Sequence, residues 1–365
     1  MLAKFAVTNF RGFEKRIEWD LTKPRDYEFN SFAVKNGIIK NGIIYGPNGC
    51  GKSNFGLAIF DIVNHLTQKW KQQNYYDNFA FAGNQDSPVI FEYVFQFDEY
   101  NIEYSYSKNV IGLLIAEKLV VNSKIIFEKD RGKFYIDDSF PMEATIQASF
   151  RDNSNGASVI NLIMLSYPLP ENHYILKLLQ FVNSMLWFKK LDEPAFIGFD
   201  THTSNLDEYI IQNNLTEDFS KFLEKVSGQH FVFFQPAAGD KKLFCNIKET
   251  PKEFHAIAST GTNALQLLYF WLKHMSQTAF VFIDEFDAFY HFKLSFDVCD
   301  ELFKKDCQLF LSSHNTFLMT NDLLRPDCNF ILKDNKITPL CEATDKELRE
   351  GHNIEKLYRG GAFEL

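Results

Sequence analysis

The chain has 365 residues, 45% hydrophobic and 23% charged, which is enough apolar material for one large domain with an insertion or for two ordinary domains. Acidic residues outnumber basic ones 47 to 38, and the net charge of -9 argues against a protein that coats nucleic acid through its global charge. Six scattered cysteines without C-x-x-C spacing exclude a disulfide framework and a thiolate zinc site, and fit reduced thiols.

The opening residues MLAKFAVTNFRGFEK carry charges early, and no later run approaches about 18 uncharged apolar residues, so a cytoplasmic location is expected. Lys4 to Asn9 alternates in polarity, Phe10-Arg11-Gly12-Phe13 turns, and Ile17 to Leu21 alternates again. A hairpin therefore opens the fold. Residues 22–40 are mixed and loop-like.

Ile43, Ile44 and Tyr45 then lead into Gly46-Pro47-Asn48-Gly49-Cys50-Gly51-Lys52-Ser53, which fits the phosphate-binding pattern G-x-x-x-x-G-K-[ST]. A polyanionic tail needs several backbone N–H groups converging at short range, and glycines leave room for that approach. A helix starting near Gly51 presents unsatisfied N–H groups and its positive dipole end. Lys52 is placed to reach the β- and γ-phosphates of ATP, and the Ser53 hydroxyl to become a ligand of Mg²⁺. Such a pattern arises by chance on the order of 1 time in 100.

Asn54 to Trp70 has a helical period, and 71–87 is a polar connector. From Pro88 to about Tyr135 several β-rich runs separated by Asn101, Lys108-Asn109 and Arg131-Gly132 predict an antiparallel meander. Between about Ser149 and Ser227 the patterns turn helical: Ala157 to Ser166, Tyr174 to Leu191, Leu206 to Asn213 and Leu215 to Val226. His230 to Phe234 and Lys242 to Ile247 flank Gly239-Asp240 as a hairpin. Ala258-Ser259-Thr260-Gly261-Thr262-Asn263-Ala264 is a hydroxyl-rich turn that starts a helix running to Met275.

Phe280-Val281-Phe282-Ile283 is a buried strand that delivers Asp284 and Glu285 at its carboxyl end, where open α/β sheets keep their ligands. Asp284 would hold the Mg²⁺ shell and Glu285 would orient or deprotonate the attacking water. A second buried strand ends in Ser312-Ser313-His314, and its imidazole would stand beside the γ-phosphate. Asp200-Thr201-His202 has no companion at metal spacing and reads as a polar loop.

Taken together, NFRGF, GPNGCGKS, STGTNA, VFIDEFDAFYH, LSSH and the tail LRPDCNFILKDNKITPL resemble the ABC-type ATPases of the SMC/RecF/OLD kind. The pattern is similar to the short AAA/OLD-like group of abortive-infection and phage-defence systems, such as the ATPase subunit of PARIS systems. That resemblance covers about residues 1–60 and 255–365. It implies an α/β ABC-type P-loop ATPase head with an antiparallel β subdomain and a helical insertion, without a long coiled coil. The expected division is an N-terminal lobe (1–148), a helical insertion (149–228) and a C-terminal lobe (229–365). Residue by residue, it makes Lys52 and Ser53 part of Walker A, Asp284 and Glu285 of Walker B, Ser259 to Thr262 of the signature and His314 of the switch loop. Arg11 resembles a basic residue near the nucleotide. The signature reads STGT where SGGQ is usual, Gln96 is a candidate for the Q-loop glutamine, and Phe286-Asp287-Ala288 stands where a D-loop would sit.

ATP and Mg²⁺ are the cofactors so implied, and the partners are a second copy in a head-to-head dimer, with ATP at the interface, and a separately encoded effector such as a TOPRIM-type nuclease. A phage protein or DNA would be the trigger. Only about fifty residues follow His314, too few for a TOPRIM domain in this chain. Three readings stand: an ATPase switch serving a defence complex, a RecF-like repair ATPase that binds DNA directly, and a scaffold held together by slowly hydrolysed ATP. Net acidity favours the first and third.

Overall fold

The structure is a computed structural model. It describes residues 1–365 except 68, 70–73, 153–155, 189–195, 199–204, 235–240, 248–249 and 364–365. Two seven-stranded sheets dominate. Their strands, in chain order, are β1 (Leu2–Thr8), β2 (Ile17–Asp20), β3 (Asn41–Tyr45), β4 (Val89–Phe97), β5 (Tyr100–Lys108), β6 (Leu114–Val121), β7 (Lys124–Asp130), β8 (Lys133–Ile136), β9 (Met185–Phe188), β10 (Phe196–Gly198), β11 (Phe280–Ile283), β12 (Gln308–Ser313), β13 (Asn329–Lys333) and β14 (Lys336–Pro339). The first sheet runs β8-β7-β6-β5-β4-β1-β2 and is antiparallel throughout, so the opening hairpin and the meander join as one surface. The second runs β10-β9-β11-β12-β3-β13-β14. Its five central strands are parallel, and antiparallel strands close both edges.

Strands buried on both faces favour continuous apolar sequence, which β11 has throughout and β12 has at Leu309-Phe310-Leu311. Phe280–Ile283 and Gln308–Ser313 are buried at every position. Helix α1 (Lys52–Ile59) is clamped between the two sheets. Its Phe55 ring packs on Phe5 and Trp19, with centroids 5.7 and 5.5 Å apart, and Trp19 reaches Phe310 of β12 at 4.4 Å. Burying rings of this size contributes roughly 1.5–3 kcal/mol each, so this layer fixes α1 against both sheets. Gly56 lets α1 lie flat on the second sheet: a Cβ there would stand 2.7 Å from the Phe282 ring.

Two expectations are corrected. The helix read over Asn54 to Trp70 breaks at Phe60 and restarts as α2 (Asp61–Leu66). The cause is Asp61, which is fully buried and accepts from Tyr75 Oη (2.6 Å) of the connector and from Tyr106 Oη (2.7 Å) and Lys108 Nζ (2.7 Å) on the first sheet. The helix read over Tyr174 to Leu191 stops at Asn183, and Met185–Phe188 becomes β9, a fully buried strand paired in parallel with β11. The stretch 149–228 is therefore helical in most of its described length but supplies two strands, β9 and β10, to the second sheet. Helices Leu206–Gln212 and Thr216–Ser227 form as expected, and Phe233–Phe234 pairs with Phe244–Ile247. The Gly239-Asp240 turn and the Asp200-Thr201-His202 loop lie outside the described residues.

Candidate active site

Because β3, β11 and β12 run parallel, the segments that follow them emerge at one edge of the sheet. β12 lies between the other two, so the turn after Ser313 stands between the glycine loop and the acidic pair. Gly46, Gly49 and Gly51 curl the loop. Gly51, at φ 102, cannot take a side chain without strain, and its Cβ would stand 2.9 Å from the Phe13 ring. Phe13 belongs to the NFRGF turn, which thus braces the loop from outside. Pro47, Asn48 and Gly49 are exposed, and Cys50 is half-buried.

Lys52 is buried. Its ammonium donates to Gly46 O (2.8 Å) and Pro47 O (3.3 Å) and lies 3.4 Å from Nδ1 of His314. Burial pushes its pKa down, opposed by Asp284, Glu285 and Asp287. Asp284 is 2% exposed and accepts from the Ser312 hydroxyl, with the Ser53 hydroxyl close enough to stabilise its charge. Burial nevertheless raises its pKa, and Glu285 adds repulsion. A buried carboxylate in that state is relieved by a cation. Serine hydroxyl and carboxylate oxygens are the hard donors that Mg²⁺ takes together with substrate phosphates, so Ser53 and Asp284 fit that ion.

Glu285 sits at φ 44, a left-handed conformation that costs a non-glycine residue of order 1 kcal/mol, and its N–H donates to Ser312 Oγ at 2.8 Å. Ser312 therefore holds both acids, one through its proton and one through its lone pair. Ser313 does the same for the next turn: its hydroxyl donates to Asp287 Oδ2 (2.7 Å), and the N–H of Asn315 donates to it (2.8 Å). Asp287 is raised by burial, with His314 pulling the other way. Sequence reasoning noticed the Ser-Ser pair as the end of a strand and missed its bracing role; two hydroxyls closing an apolar run were the available sign.

The STGT turn lies elsewhere. Ser259 caps helix α5 (Thr260–His274), numbered after α3 (Tyr174–Asn183) and α4 (Thr216–Ser227), by accepting from Thr262 N at 3.2 Å. Thr262 Oγ1 donates to Gln229 Oε1 at 3.0 Å, and a Cβ on Gly261 would stand 2.9 Å from Phe289 O. Neighbouring residues of a strand point to opposite faces. Trp187 of β9 packs on Phe60 next to α1, with centroids 6.4 Å apart, whereas Phe188 packs on Trp271 of α5 at 4.9 Å. α1 and α5 thus cover opposite faces of one sheet. Among the described residues no hydrogen bond joins Ser259–Thr262 to Gly46–Ser53.

Two sequence candidates have partners other than the loop. The Arg11 guanidinium donates to Tyr75 O at 3.0 Å and lies over the Tyr75 ring, tying the connector to the hairpin. Gln96 lines a cleft with Lys35, Lys177 and Ala279, and Ala279 precedes β11; it therefore stands at the amino edge of the second sheet, away from the loop.

The family described as "AAA domain, putative AbiEii toxin, Type IV TA system" matches residues 43–320, from the strand before the glycine loop to just beyond the switch histidine. The chain belongs to this family. It is an AAA domain with a mixed α/β architecture. Among solved structures it is similar to the SMC head domain from Thermotoga maritima (15% identity, TM-score 0.46, 93% of this chain and 98% of that one). It is also similar to an Smc head domain from Pyrococcus furiosus bound to the C-terminal domain of ScpA (13%, 0.44, 93% and 96%) and to the recombination mediator RecF with ATP (14%, 0.39, 93% and 99%). No curated protein matches the chain. No helix among the described residues of this AAA-family chain is long and apolar enough to cross a membrane.

Proposed function

We propose that this AAA-family chain binds ATP in the loop Gly46–Ser53, hydrolyses it, and uses the cycle to close and open a pair of identical subunits that controls a separately encoded toxic effector. The observation that carries the reading is the meeting of Lys52, Ser53, Asp284 and His314, from chain positions more than 200 residues apart, at one sheet edge. Lys52 would exchange its carbonyl partners for β- and γ-phosphate oxygens. Ser53 and Asp284 would hold the magnesium ion, which neutralises charge on those same oxygens. Glu285, held in place through Ser312, would orient and deprotonate the attacking water, and His314 would donate to the γ-phosphate.

The second half of the reading rests on α1 and α5. Their N-termini lie at the same edge on opposite sheet faces, so one subunit offers the γ-phosphate a single helix end. Two copies facing each other would bring the STGT turn of each, Ser259 to Thr262, onto the other's nucleotide, coupling phosphate state to subunit separation. The family description, a putative toxin of a type IV toxin–antitoxin system, supports a place in a two-component toxic system, and a separately encoded TOPRIM-type nuclease is the effector chemistry proposed here.

Lys52→Ala should lose ATP binding in a calorimetric titration. Retention of wild-type affinity would remove the loop assignment. Direct DNA binding, the RecF-like alternative, would appear as affinity for duplex DNA that falls steeply with salt.

A further inference from the structure

Behind the STGT turn lies a polar cluster that the proposed chemistry leaves unused. Asp207, 3% exposed on the helix Leu206–Gln212, accepts from Gln266 Nε2 (2.6 Å) and from Leu243 N (2.9 Å). Its Oδ1 also faces Nε2 of His255 at 3.0 Å. The other ring nitrogen of His255, Nδ1, faces Oδ1 of Asn263 at 2.9 Å. Asn263 is in the first turn of α5, directly after Ser259-Thr260-Gly261-Thr262. Both imidazole nitrogens therefore meet oxygen acceptors, and only the doubly protonated ring can donate to both. The neutral ring would keep its proton toward the Asp207 carboxylate and turn a lone pair on the Asn263 carbonyl.

We infer that His255, as the imidazolium, is a positioning residue for the STGT turn. It clamps the first turn of α5 to the helix Leu206–Gln212 through Asn263 and Asp207, and on losing its proton it lets that turn shift. The role in hydrolysis rests on the reading of Ser259 to Thr262 given above. The clamp itself does not.

The surroundings agree in charge. The groups facing His255 among the described residues are Asp207 from the helix Leu206–Gln212, Asn263 from α5, and Glu253 from the strand Thr250–Glu253, itself paired to Lys242 at 2.9 Å. Together they hold the imidazole above its ordinary range, with the Asp207 hydrogen bond the main cause. Asp207 is held below the usual carboxylate range: burial pushes it up, and the bonds from His255, Leu243 and Gln266 outweigh that. The sign follows. Because the folded pKa of His255 is raised, the clamp is complete below the ordinary histidine pKa and is lost as pH rises through the folded value.

The test uses the full chain. NMR of the imidazole nitrogens, with His255→Gln identifying the resonance, should give a midpoint above the ordinary histidine value, and Asn263→Asp should move it higher. Hydrogen exchange at Thr260–Asn263, corrected for intrinsic rate, should accelerate as pH passes that midpoint in wild type and not in His255→Gln. Under turnover, kcat should fall by about fivefold or more across the same midpoint while the Kd for ATP stays flat. His255→Gln should abolish the inflection and Asn263→Asp should shift it upward. An ordinary or depressed midpoint, or exchange in the turn that ignores it, would overturn the clamp. Wild-type protein without any ATP turnover would sink the proposed function, yet leave the first two measurements decisive.

Discussion

Asp20 shows how a single side chain contributes to stability against acid. It accepts from Lys4 Nζ (2.8 Å) and from Thr22 Oγ1 (2.6 Å), and these bonds overcome a burial effect of opposite sign to hold its pKa at about 2. A depressed carboxylate stabilises above its unfolded value and loses that contribution as pH falls through the folded one, here from about 4 to about 2. With Lys4 exposed to solvent, Asp20→Asn should cost about 1 kcal/mol at pH 7, and urea unfolding near pH 2 should show no difference. Gly51 is the other decisive position: Gly51→Ala should cost about 1–3 kcal/mol in chemical unfolding and weaken ATP binding, through its positive φ and the Phe13 ring. At this scale the loop was legible because phosphate recognition requires glycine, lysine and serine at fixed short spacing. The bracing by Ser312 and Ser313 was not, because the acids they hold lie more than 20 residues away and the two hydroxyls that close the apolar run do not say which groups they meet.

Between elements, the firmest link is the one that breaks the helix after the loop. Asp61 and Lys108 are both buried, 0% and 2% exposed, and two tyrosine hydroxyls complete the site. Removing one partner leaves a charge uncompensated in the interior, so Lys108→Met should destabilise by about 3–5 kcal/mol in thermal unfolding. Adding Asp61→Asn should recover part of that loss instead of compounding it. The meander, the opening hairpin and the two strands that end in acid and histidine were legible because alternation, or a short continuous apolar run between breakers, distinguishes them. β9 was not. Its sequence, Met185-Leu186-Trp187-Phe188, follows an amphipathic helix without a glycine or proline, and a strand buried on both faces has no period of its own to separate it from another helical turn. The same absence of a breaker hid the interruption at Phe60, which tertiary pairing of Asp61 imposes.

At the scale of the molecule, α1 and α5 on opposite faces make a second subunit part of the proposed chemistry. Glu285→Gln with ATP should yield a stable dimer in light scattering and lower turnover by about 100-fold or more; a monomer under those conditions would contradict closure by paired heads. Gly261→Glu, whose side chain would collide with Phe289 O, should leave ATP binding to the loop near wild type and prevent that dimer. The order of strands in the second sheet also bears on how such a molecule is made. β3, which carries the glycine loop, is hydrogen-bonded on one side to a strand beginning at residue 308 and on the other to one beginning at residue 329. At roughly 5–20 residues per second of synthesis, the ribosome supplies those neighbours tens of seconds after the loop has left the exit tunnel. A nascent chain not yet made through residue 333 therefore holds β3 without both of its sheet neighbours, and the proposed nucleotide site waits for strands that are encoded far downstream of its loop.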